Sequence, residues 1–287
     1  MLRSLLDILF VGMQYILPSH LLSRLMYRFA RIKIKWLKNT YTRWFVHHFK
    51  IDMSIAIEQD YRAYAHFNDF FTRALKKEAR PLSTEQQAIV SPVDAAVSQA
   101  EIIHGHRVFQ AKKHDFSLHT LLGGDDEASE RFSNGISTTL YLSPRDYHRI
   151  HMPITGRLTK VTHIPGSLFS VNQVTAQSVP GLFARNERVV CEFDTEAGPM
   201  AMILVGAIFV ASIETVWQGT ITPPAGKRVQ SWDYSEKDIV LQTGEEMGRF
   251  NMGSTVILLF TRDRVKWQTT LIKDASVTMG ESIGYYQ

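Results

Sequence analysis

The sequence contains a single cysteine, Cys191, in a chain of 287 residues. One cysteine excludes an internal disulfide framework and any zinc site built from several cysteines. Because Cys191 lies in the strand-like run ERVVCEF, we expect it to be a buried structural thiol. Glycine and proline are scattered, and the chain shows neither an internal repeat nor a low-complexity tract. The composition is therefore that of an ordinary globular protein.

Acidic residues are almost missing from the first fifty positions. Residues 1–50 contain nine Lys/Arg and one acid, Asp7, for a net charge of +8. Since the whole chain carries +4, the remaining residues carry −4. The basic character of the protein thus belongs to its N-terminal segment, which points to an anionic partner for that segment.

A long uncharged apolar run is also missing. The first apolar stretch, MLRSLLDILFVGMQYIL, contains Arg3, Asp7 and Gln14 and stops before Pro18. It is shorter and more polar than a membrane-spanning helix, which needs about 20 apolar residues. It has no small-residue cleavage site after a clean apolar core, which argues against a secretory signal.

The next stretch, HLLSRLMYRFARIKIKWLK, predicts an amphipathic helix that Ser19 would cap. Its apolar face would hold Leu21, Leu22, Leu25, Phe29 and Ile32, and its basic face Arg24, Arg28, Arg31 and Lys35. With Trp36 and Trp44 close by, this pattern is typical of an interfacial helix on anionic lipid. The alternative is a helix packed on the core with a solvated basic face. No nucleic-acid-binding motif is present, and no nucleic-acid partner is predicted.

The rest of the chain lacks the alternation of strands and helices typical of βαβ units. A third helical region is predicted over residues 53–75. From about residue 88 there are short β-rich runs separated by turns, such as GRLTKVTHI at 156–164 and STVILLF at 254–260. This spacing favours an antiparallel sandwich or barrel-like sheet system. We predict an α+β protein with an N-terminal helical, membrane-associating region, 1–80, and a β-rich catalytic domain, 81–287.

Two common catalytic motifs are absent. There is no GxSxG nucleophile elbow, which argues against an α/β-hydrolase. There is also no helical HExxH, and the pair His148 and His151 lacks the third protein ligand that a catalytic zinc needs. We therefore predict no metal.

Three places remain as candidates for catalysis. They are Asp94 in SPVDAAVS, the histidines His148 and His151 in YLSPRDYHRIHMP, and Ser254 after Gly253 in RFNMGSTVILLF. Each alone has an ordinary interpretation as a turn residue or a packed or surface histidine. Taken together, they suggest a relay in which the aspartate orients a histidine and the histidine deprotonates the serine.

Several ordered blocks span nearly the whole chain. They are QYILP near the start, FNDFFTRALKKEARP at 67–81, YLSPRDYHRIHMP at 141–153, PGSLFSVN at 165–172, LFARNERVVCEFDTEAGPMAMILVGA at 182–207, SIETVWQGTITPP at 212–224 and EEMGRFNMGSTVILLF at 245–260. In this order they resemble the bacterial phosphatidylserine decarboxylase proenzymes. The family's cleavage motif is usually Leu-Gly-Ser-Thr, and Met252 stands here in the place of the leucine. Methionine is close to leucine in volume and apolarity, so we expect processing to survive.

The resemblance implies that Ser254 attacks the carbonyl of Gly253. The chain would break between them into a long chain, 1–253, and a short chain, 254–287, whose first residue becomes a pyruvoyl cofactor. Asp94, His151 and Ser254 would form the self-cleavage relay, and His148 would contact substrate or deliver a proton. An exchange of roles between the two histidines stays open. The pyruvoyl group would form a Schiff base with phosphatidylserine, release CO2 and yield phosphatidylethanolamine.

The implied partners follow from a lipid substrate. They are phosphatidylserine in an anionic bilayer, the membrane surface through the N-terminal helices, and a heterodimer of the two cleaved chains, with further dimerisation left open. The expected location is peripheral, on the cytoplasmic face of a bacterial cell membrane. Two alternatives remain at this point: a Ser-His-Asp hydrolase in which Ser254 stays intact, and an unprocessed lipid-binding module.

Overall fold

A computed structural model describes residues 5–111, 114–209, 212–223, 226–251 and 253–287. Within these ranges the helices are α1 (Leu5–Ile16), α2 (Ser19–Phe29), α3 (Lys35–Phe49), α4 (Phe67–Phe71), α5 (Leu118–Leu121), α6 (Asp126–Arg131), α7 (Gln173–Ala176) and α8 (Leu182–Arg185). A short 3-10 turn covers Lys77–Ala79.

The first strand begins at Ala88, where the short β-rich runs of the sequence begin. The strands are β1 (Ala88–Val90), β2 (Ala95–Ile102), β3 (Arg107–Ala111), β4 (His114–Ser117), β5 (Ile136–Leu142), β6 (Arg149–His151), β7 (Gly156–Ile164), β8 (Arg188–Thr195), β9 (Gly198–Val205), β10 (Ile213–Thr215), β11 (Gly219–Thr222), β12 (Gln230–Asp233), β13 (Val240–Leu241), β14 (Glu246–Phe250), β15 (Ser254–Phe260), β16 (Val265–Trp267), β17 (Ser276–Val277) and β18 (Ser282–Tyr286). The pairings between these strands are antiparallel. The predicted α+β class is confirmed.

The largest sheet has the order β12-β7-β8-β9-β15-β5-β2-β17, and β13 also pairs with β7. In the described part of the chain this order is open at both ends. Strand β15 lies inside it between β9 and β5, and all seven of its residues are buried. The apolar run Val256 to Phe260 is thus covered on both faces, as its weak alternation predicted. A four-stranded sheet, β11-β10-β14-β6, leads directly into this strand through β14.

The second amphipathic helix is shorter than predicted. Helix α2 ends at Phe29 and α3 begins at Lys35, because the backbone N–H of Asn68 donates to the carbonyl of Ala30 at 2.9 Å. That bond draws the chain away from a continuous helix. The predicted cap was also wrong: Pro18 holds the N-cap position, and Ser19 is already the first helical residue.

The predicted helix over residues 53–75 was also wrong, except for the single turn and a half of α4. The side chains of Asp52, Glu58 and Asp60 each accept a hydrogen bond from the backbone N–H two residues later. Such local bonds give the backbone an alternative to helical hydrogen bonding. Apolar spacing alone overestimated the helix here.

The N-terminal helices contact the β-rich part through polar side chains. Gln14 Oε1 accepts from the backbone N–H of Ser170 at 2.7 Å, and His20 Nε2 donates to the carbonyl of Gly166 at 2.9 Å. The buried Ser23 accepts from the N–H of Phe209 at 3.2 Å. Helix α2 therefore turns a small polar face inward. The division of the chain near residue 80 stays a prediction.

The outward faces of these helices are apolar. We call the following residues the apolar helix surface: Ile8, Leu9, Met13, Tyr15, Ile16, Leu21, Leu25, Ile34, Trp36 and Trp44. Each is at least half exposed, and Ile16 and Trp36 reach 86% and 71%. Among the described residues, no helix has both the length and the hydropathy to cross a bilayer. A clustered apolar surface of this kind marks an interaction site.

Candidate active site

A three-residue link, 251–253, joins β14 to β15. Its first residue, Asn251, is 1% exposed and firmly held. The backbone N–H of Asn251 donates to the carbonyl of Ser212 at 3.0 Å, and its side chain bonds to Asn68 at 2.7 Å and to Glu214 at 3.2 Å. Neither Asn68 nor Asn251 belongs to a catalytic motif that the sequence reveals. Their one signal was that both lie in the ordered blocks.

The link ends at the predicted cleavage site. Ser254 is the first residue of β15, and its Oγ is buried without a hydrogen-bond partner. A Cβ placed on Gly253 would come no closer than 3.8 Å to the carbonyl of Leu142, so the space beside Gly253 is open. Met252 lies outside the described residues. An unpaired hydroxyl next to an accessible glycine is the arrangement that an internal nucleophile needs.

His148 is completely buried, and its two ring nitrogens differ. Its Nδ1 donates to the carbonyl of Asp146 at 2.8 Å, which leaves Nε2 as the basic nitrogen. Nε2 is buried and has no partner. The ring packs on Phe71 with 4.2 Å between centroids. Burial lowers the pKa of His148 to about 3, so the neutral imidazole presents a free lone pair at neutral pH.

Both ring nitrogens of His151 have hydrogen-bond partners, unlike those of His148. Its Nδ1 donates to the carbonyl of Gly244 at 2.9 Å, and its Nε2 accepts from the Tyr147 hydroxyl at 3.1 Å. Burial lowers the pKa of His151 and raises that of Tyr147 to about 12. Both groups are therefore neutral at physiological pH, and Tyr147 occupies the nitrogen that a relay would use.

Asp94 lies in a charged pair. Arg80 donates to both carboxylate oxygens, to Oδ1 at 2.7 Å and to Oδ2 by a shorter bond. The backbone N–H of Met279 adds a third hydrogen bond at 2.9 Å. Both side chains of the pair are largely buried. Asp94 is thus an ionised, fixed group rather than an ordinary turn residue.

The backbone brings His148 and Ser254 to the two ends of the 251–253 link. The N–H of Phe250, just before the link, donates to the carbonyl of His148 at 3.0 Å. Ser254, just after the link, pairs with Leu142 at the end of β5. The loop from β5 to β6, which contains His148, therefore runs alongside the link.

His151 and Asp94 lie together at the other end of β14. His151 pairs with Glu246, and its N–H donates to the carbonyl of Pro92, two residues before Asp94. Within the described contacts, no hydrogen bond joins Asp94 to His151 or His151 to Ser254. The predicted site residues thus lie in two adjoining groups.

An apolar cavity of about 590 Å³ opens next to the predicted cleavage site. Gly253 lies in its wall, together with Leu142 and Phe71. Helices α1, α2 and α3 contribute Phe10, Met13, Gln14, Met26, Tyr41, Trp44, Phe45 and Phe49, and the connection between α1 and α2 contributes Leu17. The cavity therefore connects the cleavage site to the helices that bear the apolar helix surface.

Comparison with known protein families gives matches over the β-rich part of the chain and over its N-terminal helices. A family model described as phosphatidylserine decarboxylase matches residues 67–285. The chain belongs to the phosphatidylserine decarboxylase family. A second model, described as PSD, matches residues 9–50, which form α1 to α3.

Relatives in this family match at nearly full length. A phosphatidylserine decarboxylase proenzyme of Stutzerimonas stutzeri is 56% identical over 281 residues, covering 97% of this chain and 94% of that protein. The proenzyme of Azotobacter vinelandii is 53% identical and covers 97% and 98%, and that of Shewanella denitrificans is 55% identical and covers 91% of each. The resemblance inferred from the ordered blocks is confirmed.

Because His148 is buried as a neutral imidazole, the folded protein should lose stability as the pH falls. The pKa of His148 is lowered from 6.5 to about 3 on folding, so its contribution to stability is complete above pH 6.5 and is lost as pH falls below that value. The loss is about 1.4 kcal/mol per pH unit for one such group. In a Ser254→Ala background, adding His148→Asn should reduce the fall in unfolding free energy between pH 7.5 and 5.5, measured by urea denaturation. An equal fall in both proteins would contradict the burial of a neutral imidazole.

Proposed function

We propose that this chain is a self-processing decarboxylase that converts phosphatidylserine to phosphatidylethanolamine and CO2. The observation that carries the proposal is the unpaired, buried Ser254 hydroxyl beside an open Gly253, in a chain whose relatives are proenzymes of this name. The decisive test is separation of the wild type into two chains, followed by CO2 release from phosphatidylserine.

Self-cleavage begins at Ser254. Its Oγ loses a proton and attacks the carbonyl carbon of Gly253, so the peptide bond becomes an ester. Elimination across Cα and Cβ of residue 254 then breaks the ester and leaves Gly253 with a free carboxylate. Addition of water to the resulting dehydroalanine releases ammonia and leaves a pyruvoyl group. Gly253 suits this sequence because it has no side chain to block approach to its carbonyl.

The proposed relay assigns the first proton transfer to His151 and its orientation to Asp94. Since His151 Nε2 is bonded to Tyr147 and Nδ1 to the carbonyl of Gly244, cleavage by this route requires the imidazole to release both partners, turn towards Asp94 and reach Ser254. The ion pair with Arg80 holds the Asp94 carboxylate in place, and its attraction to His151 stabilises the imidazolium that forms. The fixed position of Asn251 holds the scissile segment while this happens.

The surroundings of Ser254 fit a pyruvoyl group. The residue lies at the start of β15, held between β5 and β9, so the new terminus remains anchored. The apolar wall formed by Phe71 and Leu142 limits access of water. Once formed, the group supplies a ketone for the substrate amine and an electron sink for the electrons released with CO2. An amino acid carboxylate has no such sink of its own.

His148 serves as the proton carrier of the decarboxylation. A substrate amine arrives as an ammonium ion and must lose a proton before it can act as a nucleophile. The free Nε2 of His148 accepts that proton. The same proton can then be given to the carbon that has lost CO2, and a proton from solvent converts the released product amine to its ammonium form. The imidazole is neutral before substrate binds, and the negative charges of the bound substrate then favour its protonated form.

The lipid tails and the membrane account for the N-terminal helices. The 590 Å³ apolar cavity accommodates acyl-chain segments next to Gly253. The apolar helix surface inserts at the interface, and the surrounding Lys and Arg residues add about 1 kcal/mol each near anionic lipid. We place the protein on the cytoplasmic face of a bacterial membrane, as a heterodimer of its two cleaved chains.

Polar substitution on the apolar helix surface should weaken membrane binding. Burying one Ile or Trp side chain contributes about 1.5–3 kcal/mol, so Ile16→Gln with Trp36→Gln should reduce sedimentation with phosphatidylserine-containing liposomes at least about tenfold. Ile272→Gln is the matched control, because Ile272 is 64% exposed but lies in the β-rich part. All proteins should still cleave themselves. Equal sedimentation of the double variant and the control would refute docking through these helices.

A further inference from the structure

Arg73 is a buried cation that has no hydrogen-bond or ion-pair partner among the described residues, although Asp94 attracts it at longer range. It follows α4 and is 4% exposed, and its Nε is buried without a hydrogen-bond partner. Within the described residues its guanidinium forms no hydrogen bond or ion pair, and its closest specific contact is the ring of Phe70, at 5.4 Å. Arginine stays protonated at neutral pH, and a buried unpaired charge is destabilising. A missing anionic ligand explains why such a residue is present.

Arg73 lines a polar cavity of about 170 Å³. The other charged residues of its wall are Lys50, Arg80 and Arg145 among the bases, and Asp52, Asp94 and Asp146 among the acids. Each acid is already engaged: Asp94 by Arg80, Asp146 by Ser143, and Asp52 by the N–H of Ser54. The cavity volume equals that of about five or six water molecules. With four basic and three acidic side chains, its wall has a formal net charge of +1, and the space is large enough for one small anionic group.

Three chain segments that line the polar cavity also line the apolar cavity at the proposed cleavage site. They place Phe49, Phe71 and Pro144 on the apolar cavity and Lys50, Arg73 and Arg145 on the polar one. Phe49 is followed directly by Lys50 and Pro144 by Arg145, with about 3.8 Å between consecutive Cα atoms, and Phe71 lies two residues before Arg73. A molecule with apolar tails and an anionic head can thus occupy the two spaces together.

We propose that Arg73 binds the phosphodiester of phosphatidylserine and so selects a phospholipid over other serine derivatives. The inference rests on the proposed function for the identity of the lipid. The phosphodiester is the better of the two substrate anions for this role, because a cation on the carboxylate would stabilise the ground state and oppose CO2 loss. The phosphate keeps its charge throughout the reaction and matches the fork of a guanidinium.

A comparison of two substrates tests this role. Dioctanoyl phosphatidylserine has the phosphodiester, and O-octanoylserine has the amine and carboxylate but no phosphate. Arg73→Met should lower kcat/KM for the phospholipid at least tenfold and that for O-octanoylserine less than twofold. Arg262→Met, which removes an exposed arginine paired with Asp263, should change neither. A preference ratio in Arg73→Met equal to that of wild type would overturn the proposal.

Binding of the product separates this inference from the proposed function. Calorimetric titration with dioctanoyl phosphatidylethanolamine needs no turnover, and Arg73→Met should bind it at least tenfold more weakly than wild type. Arg73→Lys, which keeps the charge but not the fork, should fall between them. A wild type that binds in this Arg73-dependent way but releases no CO2 would refute the decarboxylase and uphold the anion site. Equal affinities of wild type and both variants would refute the anion site even in an active decarboxylase.

Discussion

The Ser254→Ala variant should remain one uncut chain, whereas the wild type should separate into chains 1–253 and 254–287 on a denaturing gel. The expected effect is complete, because the Ser254 hydroxyl is the only group in the proposed route that can form the ester with Gly253. Intact mass should confirm the break between Gly253 and Ser254. The short chain should resist Edman sequencing, since a pyruvoyl group has no amine.

Thr215→Val is the matched control for this experiment. Thr215 is also buried, and its Oγ1 also has no hydrogen-bond partner, so this substitution removes a comparable hydroxyl without affecting Ser254. It should cleave like the wild type. A wild type that stays intact and takes up a fluorophosphonate on Ser254 would instead identify a serine hydrolase. A protein that shows neither cleavage nor label would be an unprocessed lipid-binding module.

Substitutions of the two histidines should separate cleavage from decarboxylation. His151→Ala should stay uncut, because the proposed relay loses its base. His148→Asn should cleave normally but release CO2 about 10²–10⁴-fold more slowly, the usual contribution of a positioned acid–base group. Gel densitometry and CO2 release from dioctanoyl phosphatidylserine measure the two steps on the same sample.

The design of these variants follows the hydrogen bonds of each histidine. Asparagine at position 148 retains a donor for the carbonyl of Asp146 and removes only the Nε2 function. Tyr147→Phe keeps the ring next to His151 but removes the hydroxyl that occupies its Nε2, so this variant should cleave at least as fast as wild type. An uncut His148→Asn together with a cleaved His151→Ala would reverse the two assignments.

The strands were predictable because their signals are local. Strands β7 and β15 begin and end at the predicted residues, since both are short runs rich in β-branched and apolar residues. The buried thiol of Cys191 followed from the same pattern, and burial raises its pKa. The helix predicted over 53–75 failed because its apolar spacing competes with side-chain bonds to the backbone at Asp52, Glu58 and Asp60, which apolar spacing does not reveal.

The candidate site was predictable in its members but not in its contacts. Asp94, the histidine pair and Ser254 stand out as residue types in recognisable blocks. The bond from Tyr147 to His151 and the isolation of Arg73 depend on how distant segments pack. The anchoring of Asn251 by Asn68 joins residues 183 positions apart. Such pairings arise from the tertiary fold, so a single sequence does not specify them.

Strand β15 has neighbours on both sides, and the proposed break lies at its first residue. The short chain also supplies β18, which pairs with β1, and β17, which pairs with β2. A cut molecule therefore stays assembled, but its unfolding releases two separate polypeptides. Refolding then becomes a bimolecular reaction whose yield depends on protein concentration. Before cleavage, folding is an equilibrium within one chain and does not depend on protein concentration. After cleavage by this route, the folded state requires two chains to associate, and dilution opposes that association.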